Sequence, residues 1–263
     1  MGTRPDDWQT VIDAAAKWPD RVVPSFGIHP WFAHTIPSTT SSTQPYTTLE
    51  THLTTHPTAT IGEIGIDSIA KDRTTNEKYP FDHQFAIFKH QMDLAGRLGR
   101  PVNVHVVQCH GVLLEYFAEL AGKGKSKKSA KNKSQSVDAT PPPTAPKITP
   151  TILLHSFSGS PQMITSLLSL PVPFSRRIFF SFSHAINTRS AKFADRIKAV
   201  PDDRILIESD LHDASLVDRA MWEGLKMVAG VKGWTLEECV ERVKGNVEEY
   251  LRFGREGGVS RQG

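Results

Sequence analysis

Six short, mostly continuous apolar runs recur along the 263-residue chain, at 21–27, 59–65, 101–107, 151–157, 177–183 and 204–209. Runs of this kind are the style of parallel strands buried on both faces. Pro24 weakens the first, because proline cannot donate to a ladder. Helical patterns lie between the runs. In "FDHQFAIFKHQMDLAGRLG", Phe81, Phe85, Phe88, Met92 and Ala95 return at spacings of four and three, and Gly99 with Pro101 stops the pattern. Ser160-Pro161 supplies a cap and a proline at the first helical position. Thr235 and Glu238 form a capping box. Strands alternating with helices predict a parallel α/β fold, and an (βα)8 barrel of the TIM type fits best. Six strands are visible where a closed barrel needs eight, and the chain opens directly on a helix, "DDWQTVIDAAAKW". The expectation is a barrel lacking its two front strands.

Four of the runs end on a residue able to bind a metal: Glu63 in "ATIGEIGID", His105 in "RPVNVHVVQ", His155 in "TPTILLHSFSG" and Asp210 in "RILIESDLHD". One polar strand end is ordinary. Four, from four of the six buried strands, predict one site at the C-terminal face of the sheet. Imidazole and carboxylate together suit Zn²⁺, Mn²⁺ or Mg²⁺ without choosing among them. Plainer readings stand beside this one. A lone strand histidine is more often a packed core residue, and Asp210 in "SDLHDAS" also resembles a helix start. His110 beside Cys109 lacks a second Cys/His pair at zinc spacing. "LHSFSG" is not G-x-S-x-G, so Ser156 and Ser158 read as turn residues.

The net charge of +3 is unevenly held. Residues 122–150 carry seven lysines and one aspartate, a charge of +6, so the rest of the chain is −3. That segment ends in a proline cluster and reads as a flexible insertion within a single domain spanning 1–263. The polar stretch 35–48 reads as a loop, and 254–263 as a flexible tail. Hydrophobic content of 38% agrees with part of the chain lying outside a core. Two distant cysteines, Cys109 and Cys239, point to a reducing compartment. No run is long enough to span a membrane, and the N-terminus is no signal peptide. A cytoplasmic or nuclear monomer is expected.

The pieces "FGIHPW" (26–31), "IGEIGID" (61–67), "PVNVH" (101–105), "LHSFSG" (154–159) and "LIESD" (206–210), in this order, resemble the TatD-like metal-dependent deoxyribonucleases, most closely their fungal branch. The resemblance implies the metallo-dependent hydrolase barrel of the amidohydrolase-like superfamily and up to two divalent cations. It makes Glu63 the bridging carboxylate, His105 and His155 the imidazoles of one metal, and Asp210 the carboxylate that holds the other and orients or deprotonates the attacking water. His29 and Asp67 then lie near the substrate mouth. There are three departures. No His-x-His occurs anywhere in the chain. Val107 stands where the family usually has Arg. Glu208-Ser209-Asp210-Leu211-His212 replaces Glu-Thr-Asp-x-Pro, so His212 becomes an extra candidate ligand.

The leading expectation is therefore hydrolysis of DNA phosphodiester bonds by a metal-activated water. The missing His-x-His leaves Glu63, His105 and His155 to hold one ion. Two rivals remain. One is a non-catalytic scaffold that binds a protein partner, motivated by the departures and the insertion. The other is an amidohydrolase acting on a small molecule, which the absence of a strand-end lysine disfavours.

Overall fold

The computed structural model describes residues 1–37, 44–72, 74–123 and 149–252. The readings of 122–150 and 254–263 lie outside the described residues, apart from Gly122, Lys123, Thr149 and Pro150. In chain order the elements are α1 (Pro5–Lys17), β1 (Ser25–Phe26), α2 (Gln44–Thr55), β2 (Thr60–Asp67), α3 (Phe81–Leu98), β3 (Val102–Val107), α4 (His110–Leu120) and β4 (Ile152–Leu154). They continue with α5 (Pro161–Leu168), β5 (Ile178–Phe182), α6 (His184–Asn187), α7 (Phe193–Ala199), β6 (Ile205–Ile207), α8 (Val217–Lys232) and α9 (Leu236–Arg252).

All six apolar runs form strands, and they make one parallel sheet in the order β1-β2-β3-β4-β5-β6. Each neighbour is reached by a helical crossover, the connection that parallel pairing demands. The sheet does not close among the described residues. On the free side of β1, Gly2 bridges Phe26 in parallel, and the His29 N–H donates to the Thr3 carbonyl. Residues 1–3 thus run beside β1 as an extended segment. β1 is only two residues long, and Pro24 stands immediately before it.

Side chains alternate across the strands, which separates two faces. Val104, Val106, Ile152, Leu154, Phe180, Phe182, Ile205 and Ile207 face the helices and join one large core. Leu153, Phe179 and Leu206 face the other way and cluster with Tyr250 of α9. Two residues further along the same strands, on that same inner face, come His155, Ser181 and Glu208. The inner face is therefore apolar in one layer and polar in the next.

The predicted loop at 35–48 needs correction, because α2 begins at Gln44. Threonines conceal this helix. The hydroxyls of Thr48, Thr51, Thr54 and Thr55 each donate to the carbonyl four residues back, so polar residues complete a helix whose buried contacts are only Leu49 and Leu53. Other local signals form as expected. Gly99 adopts φ 62° at the end of α3. Ser160 Oγ accepts from Met163 N at the start of α5. Thr235 and Glu238 exchange hydrogen bonds at the start of α9.

Candidate metal centre

The sheet delivers its polar inner residues to one end. Past β3, β4 and β6 the chain turns through left-handed residues, Gln108 (φ 54°), Ser156 (φ 40°) and Asp210 (φ 52°). Three non-glycine residues in this region at the same end of one sheet is the pattern of a strained functional rim. β2 approaches β3 closely at Gly65 (φ 149°), where a Cβ would lie 1.9 Å from the carbonyl oxygen of His105. Only glycine allows β2 to seat Glu63 beside His105.

Glu63 is the centre of the arrangement. Its Oε1 lies 2.6 Å from His155 Nε2, 3.2 Å from His105 Nδ1 and 3.2 Å from His29 Nε2. His105 Nδ1 and His155 Nε2 are 3.1 Å apart. Burial by itself would raise the Glu63 carboxyl, but His155, with the contacts to His105 and His29, holds it well below the usual carboxylate range. Burial opposes charge on His155 as well, yet Glu63 and Glu208 carry that imidazole well above its ordinary 6.5. His105 is raised in the same way by Asp67 and Glu63.

His29 differs. Its Nδ1 accepts from the backbone N–H of Trp31 at 3.1 Å, so the neutral ring carries its proton on Nε2 and donates it to Glu63. Burial keeps the ring neutral by lowering its pKa, against the pull of Glu63. Gln91 of α3 holds this strand end in place: its Oε1 accepts from Ile28 N at 2.8 Å and its Nε2 donates to Ile28 O at 3.1 Å.

A second group consists of His155, Glu208 and Asp210. Glu208 Oε2 accepts from Ser181 Oγ at 2.7 Å, while Oε1 is buried without a hydrogen-bond partner, 3.5 Å from His155 Nδ1. Asp210 is exposed and accepts from Ser156 Oγ at 3.2 Å. Its carboxyl is pushed above the usual range by desolvation and by repulsion from Glu208 and Glu63, which outweigh the pull of His155. Asp210 does not cap the next helix. Asp213 caps the short 3-10 turn Ala214–Leu216 ahead of α8, accepting from Ser215 N at 2.9 Å.

Glu63, His105, His155 and Asp210 therefore gather at one end of the sheet, and His29 joins them. Asp67 lies behind His105 and is 3% exposed. His212 is exposed and belongs to neither group of potential ligands among the described residues. Glu208 was not singled out from the sequence, although its parity with Leu206 on β6 carried the signal. Gln84 and Gln91, seven apart inside the apolar stripe of α3, were likewise legible as polar groups aimed at a core. The donor set suits a divalent cation: three imidazoles and three carboxylates, with one buried carboxylate oxygen lacking a donor.

Known proteins share the family and the fold. The family model described as TatD related DNase matches residues 1–252. The chain is 30% identical over 307 aligned positions to the Cut9-interacting protein scn1 of Schizosaccharomyces pombe, covering 96% of this chain and 90% of that protein. An uncharacterized deoxyribonuclease of Saccharomyces cerevisiae is 24% identical, with 80% of this chain and 73% of that protein covered. Among solved structures, the TatD homologue YJJV of Escherichia coli K12 superposes with a TM-score of 0.66 at 18% identity, over 95% of this chain and 83% of that one. A hydrolase TatD family protein of Entamoeba histolytica gives 0.68 at 14% identity, over 95% and 82%.

Proposed function

The chain belongs to the TatD-related DNase family, a family of metal-dependent hydrolases, and from that premise we propose that it hydrolyses phosphodiester bonds in DNA. The observation that carries this reading is the convergence of His29, His105 and His155 on one oxygen of Glu63, beside the carboxylates of Glu208 and Asp210. Glu63, His105 and His155 would hold one divalent cation, and Glu208 and Asp210 would supply donors for another, with His155 Nδ1 turned toward Glu208. A bound cation would supply Lewis acidity to a phosphoryl oxygen and lower the pKa of a water.

The side chains have distinct tasks in this reading. Asp210 accepts the proton of the attacking water, and desolvation with repulsion from Glu208 and Glu63 raises its carboxyl in the direction a general base needs. Ser156 Oγ orients that carboxylate. His29 keeps a proton on Nε2 and so fixes the direction of the Glu63 carboxylate. The metal is Mg²⁺, Mn²⁺ or Zn²⁺, and the donor set does not choose among them.

The test is cleavage of an end-labelled single-stranded oligonucleotide by the purified chain with each cation in turn. Cleavage is expected, and Glu63→Gln is expected to reduce it by at least about 100-fold, the upper end of what losing a supporting partner costs. A folded, metal-binding chain that leaves DNA intact under every cation would sink the DNA reading. Hydrolysis of a small amide or ester instead would favour the amidohydrolase alternative. A protein partner has one observation behind it, the name of the fission-yeast relative as an interactor of Cut9. Such a partner is compatible with the enzyme reading.

A further inference from the structure

We propose that Asp67 and Trp31 form a positioning pair that fixes the ring of His105, so that Nδ1 is its ligating atom. The inference rests on the reading of Glu63, His105 and His155 as a metal centre. Asp67 ends β2, and both oxygens of its carboxylate are engaged. Oδ2 accepts from Trp31 Nε1 at 2.9 Å and lies 3.4 Å from His105 Nε2. Oδ1 accepts from Ile69 N at 2.9 Å. The Asp67 N–H donates to Gln84 Oε1 at 3.0 Å. With 3% of its surface exposed, the residue offers little to a substrate.

An ionised carboxylate can only accept, and an indole N–H can only donate. His105 stands between two carboxylates, but Glu63 Oε1 is already met by His29 Nε2 at 3.2 Å and His155 Nε2 at 2.6 Å, so Asp67 is the one left to take the proton of a neutral His105, on Nε2. Nδ1 keeps its lone pair, 3.2 Å from Glu63 Oε1 and 3.1 Å from His155 Nε2. A carboxylate behind a ligating imidazole fixes tautomer and ring orientation in this way. Trp31 acts one step further out. Its N–H holds Asp67, and its ring meets those of His29 and His105 edge-on, at centroid distances of 5.1 and 6.2 Å. These bonds account for a large apolar residue, 41% exposed, at the rim of the site.

The test uses the full chain, with Co²⁺ alone as the probe. Co²⁺ affinity is read from its visible absorption, and the tautomer of His105 from ¹⁵N shifts of its ring in the metal-free protein, at a pH high enough that a titration shows the ring to be neutral. Asp67→Asn, nearly isosteric, is expected to weaken Co²⁺ binding about 10–100-fold. It is also expected to shift His105 away from the Nε2-protonated form. Trp31→Phe, which keeps a ring and loses the donor, moves both readouts the same way by less. The double variant should bind no worse than Asp67→Asn, because the indole acts through that carboxylate. A folded Asp67→Asn protein with unchanged affinity and tautomer would overturn the proposal. If the unsubstituted chain binds no Co²⁺, the metal reading itself fails, and the ring shifts still decide whether Asp67 positions His105.

Discussion

At the residue scale, the centre is a set of charges that stabilise one another in the absence of metal. His155 has a folded-state pKa raised above its ordinary 6.5. Its contribution to stability is thus fully present below 6.5 and is lost as pH rises through the raised value. Glu63 is depressed below its ordinary 4.5, so its contribution is present above 4.5 and is lost as pH falls through the depressed value. His29, lowered by burial, has the opposite sign to His155: its contribution is present above 6.5 and declines as pH falls toward its lowered value. Above pH 6.5 the larger shift, that of His155, governs. The chelator-treated protein is expected to lose melting temperature as pH rises from 6.5, measured by calorimetry, and Glu63→Gln should flatten that decline. A slope that survives in Glu63→Gln would place its origin elsewhere. Four of the charged groups were legible in the apolar runs, although Glu63 and His105 lie inside β2 and β3 and only His155 and Asp210 follow their strands. Glu208 lies just past β6, two residues before Asp210, and only its parity with Leu206 marks it as facing inward. The proton on His29 could not be read at all, since it depends on the backbone N–H of Trp31 folding back onto Nδ1.

At the element scale, the decisive contact is between β2 and β3. A Cβ at position 65 would meet the His105 carbonyl oxygen at 1.9 Å, at a φ that side chains rarely adopt. Gly65→Ala is expected to cost roughly 3 kcal/mol or more in urea unfolding. Thr235→Ala, which removes only the cap of α9, should cost about 1 kcal/mol. If the two losses prove equal, the close approach of β2 to β3 is not the constraint it is taken to be. All six strands were visible because parallel burial writes continuous apolar runs. Their ends were less so. β4 and β6 stop after three residues, and left-handed residues follow at Ser156 and Asp210, a backbone property that leaves little trace in hydropathy. The start of α2 was hidden for a related reason: its threonines satisfy a helix through back-bonding instead of an apolar stripe.

At the scale of the whole molecule, the polar layer rests on an apolar one. Leu153, Phe179 and Leu206 lie one layer below His155, Ser181 and Glu208, and Tyr250 of α9 closes that layer, its ring 5.9 Å from Phe179. Tyr250→Ala is expected to destabilise the fold by about 3 kcal/mol. It should also weaken Co²⁺ binding although it touches no ligand, measured by denaturation and titration on the same sample. Unchanged affinity in the destabilised variant would show the two layers to be independent. No membrane-crossing helix exists among the described residues. The dispersal of the ligands along the chain has a consequence for synthesis. His29 leaves the ribosome first and Asp210 last, separated by on the order of ten seconds of translation. Through that interval no nascent chain possesses the full set, and a polypeptide abandoned before Asp210 lacks at least one of the proposed ligands.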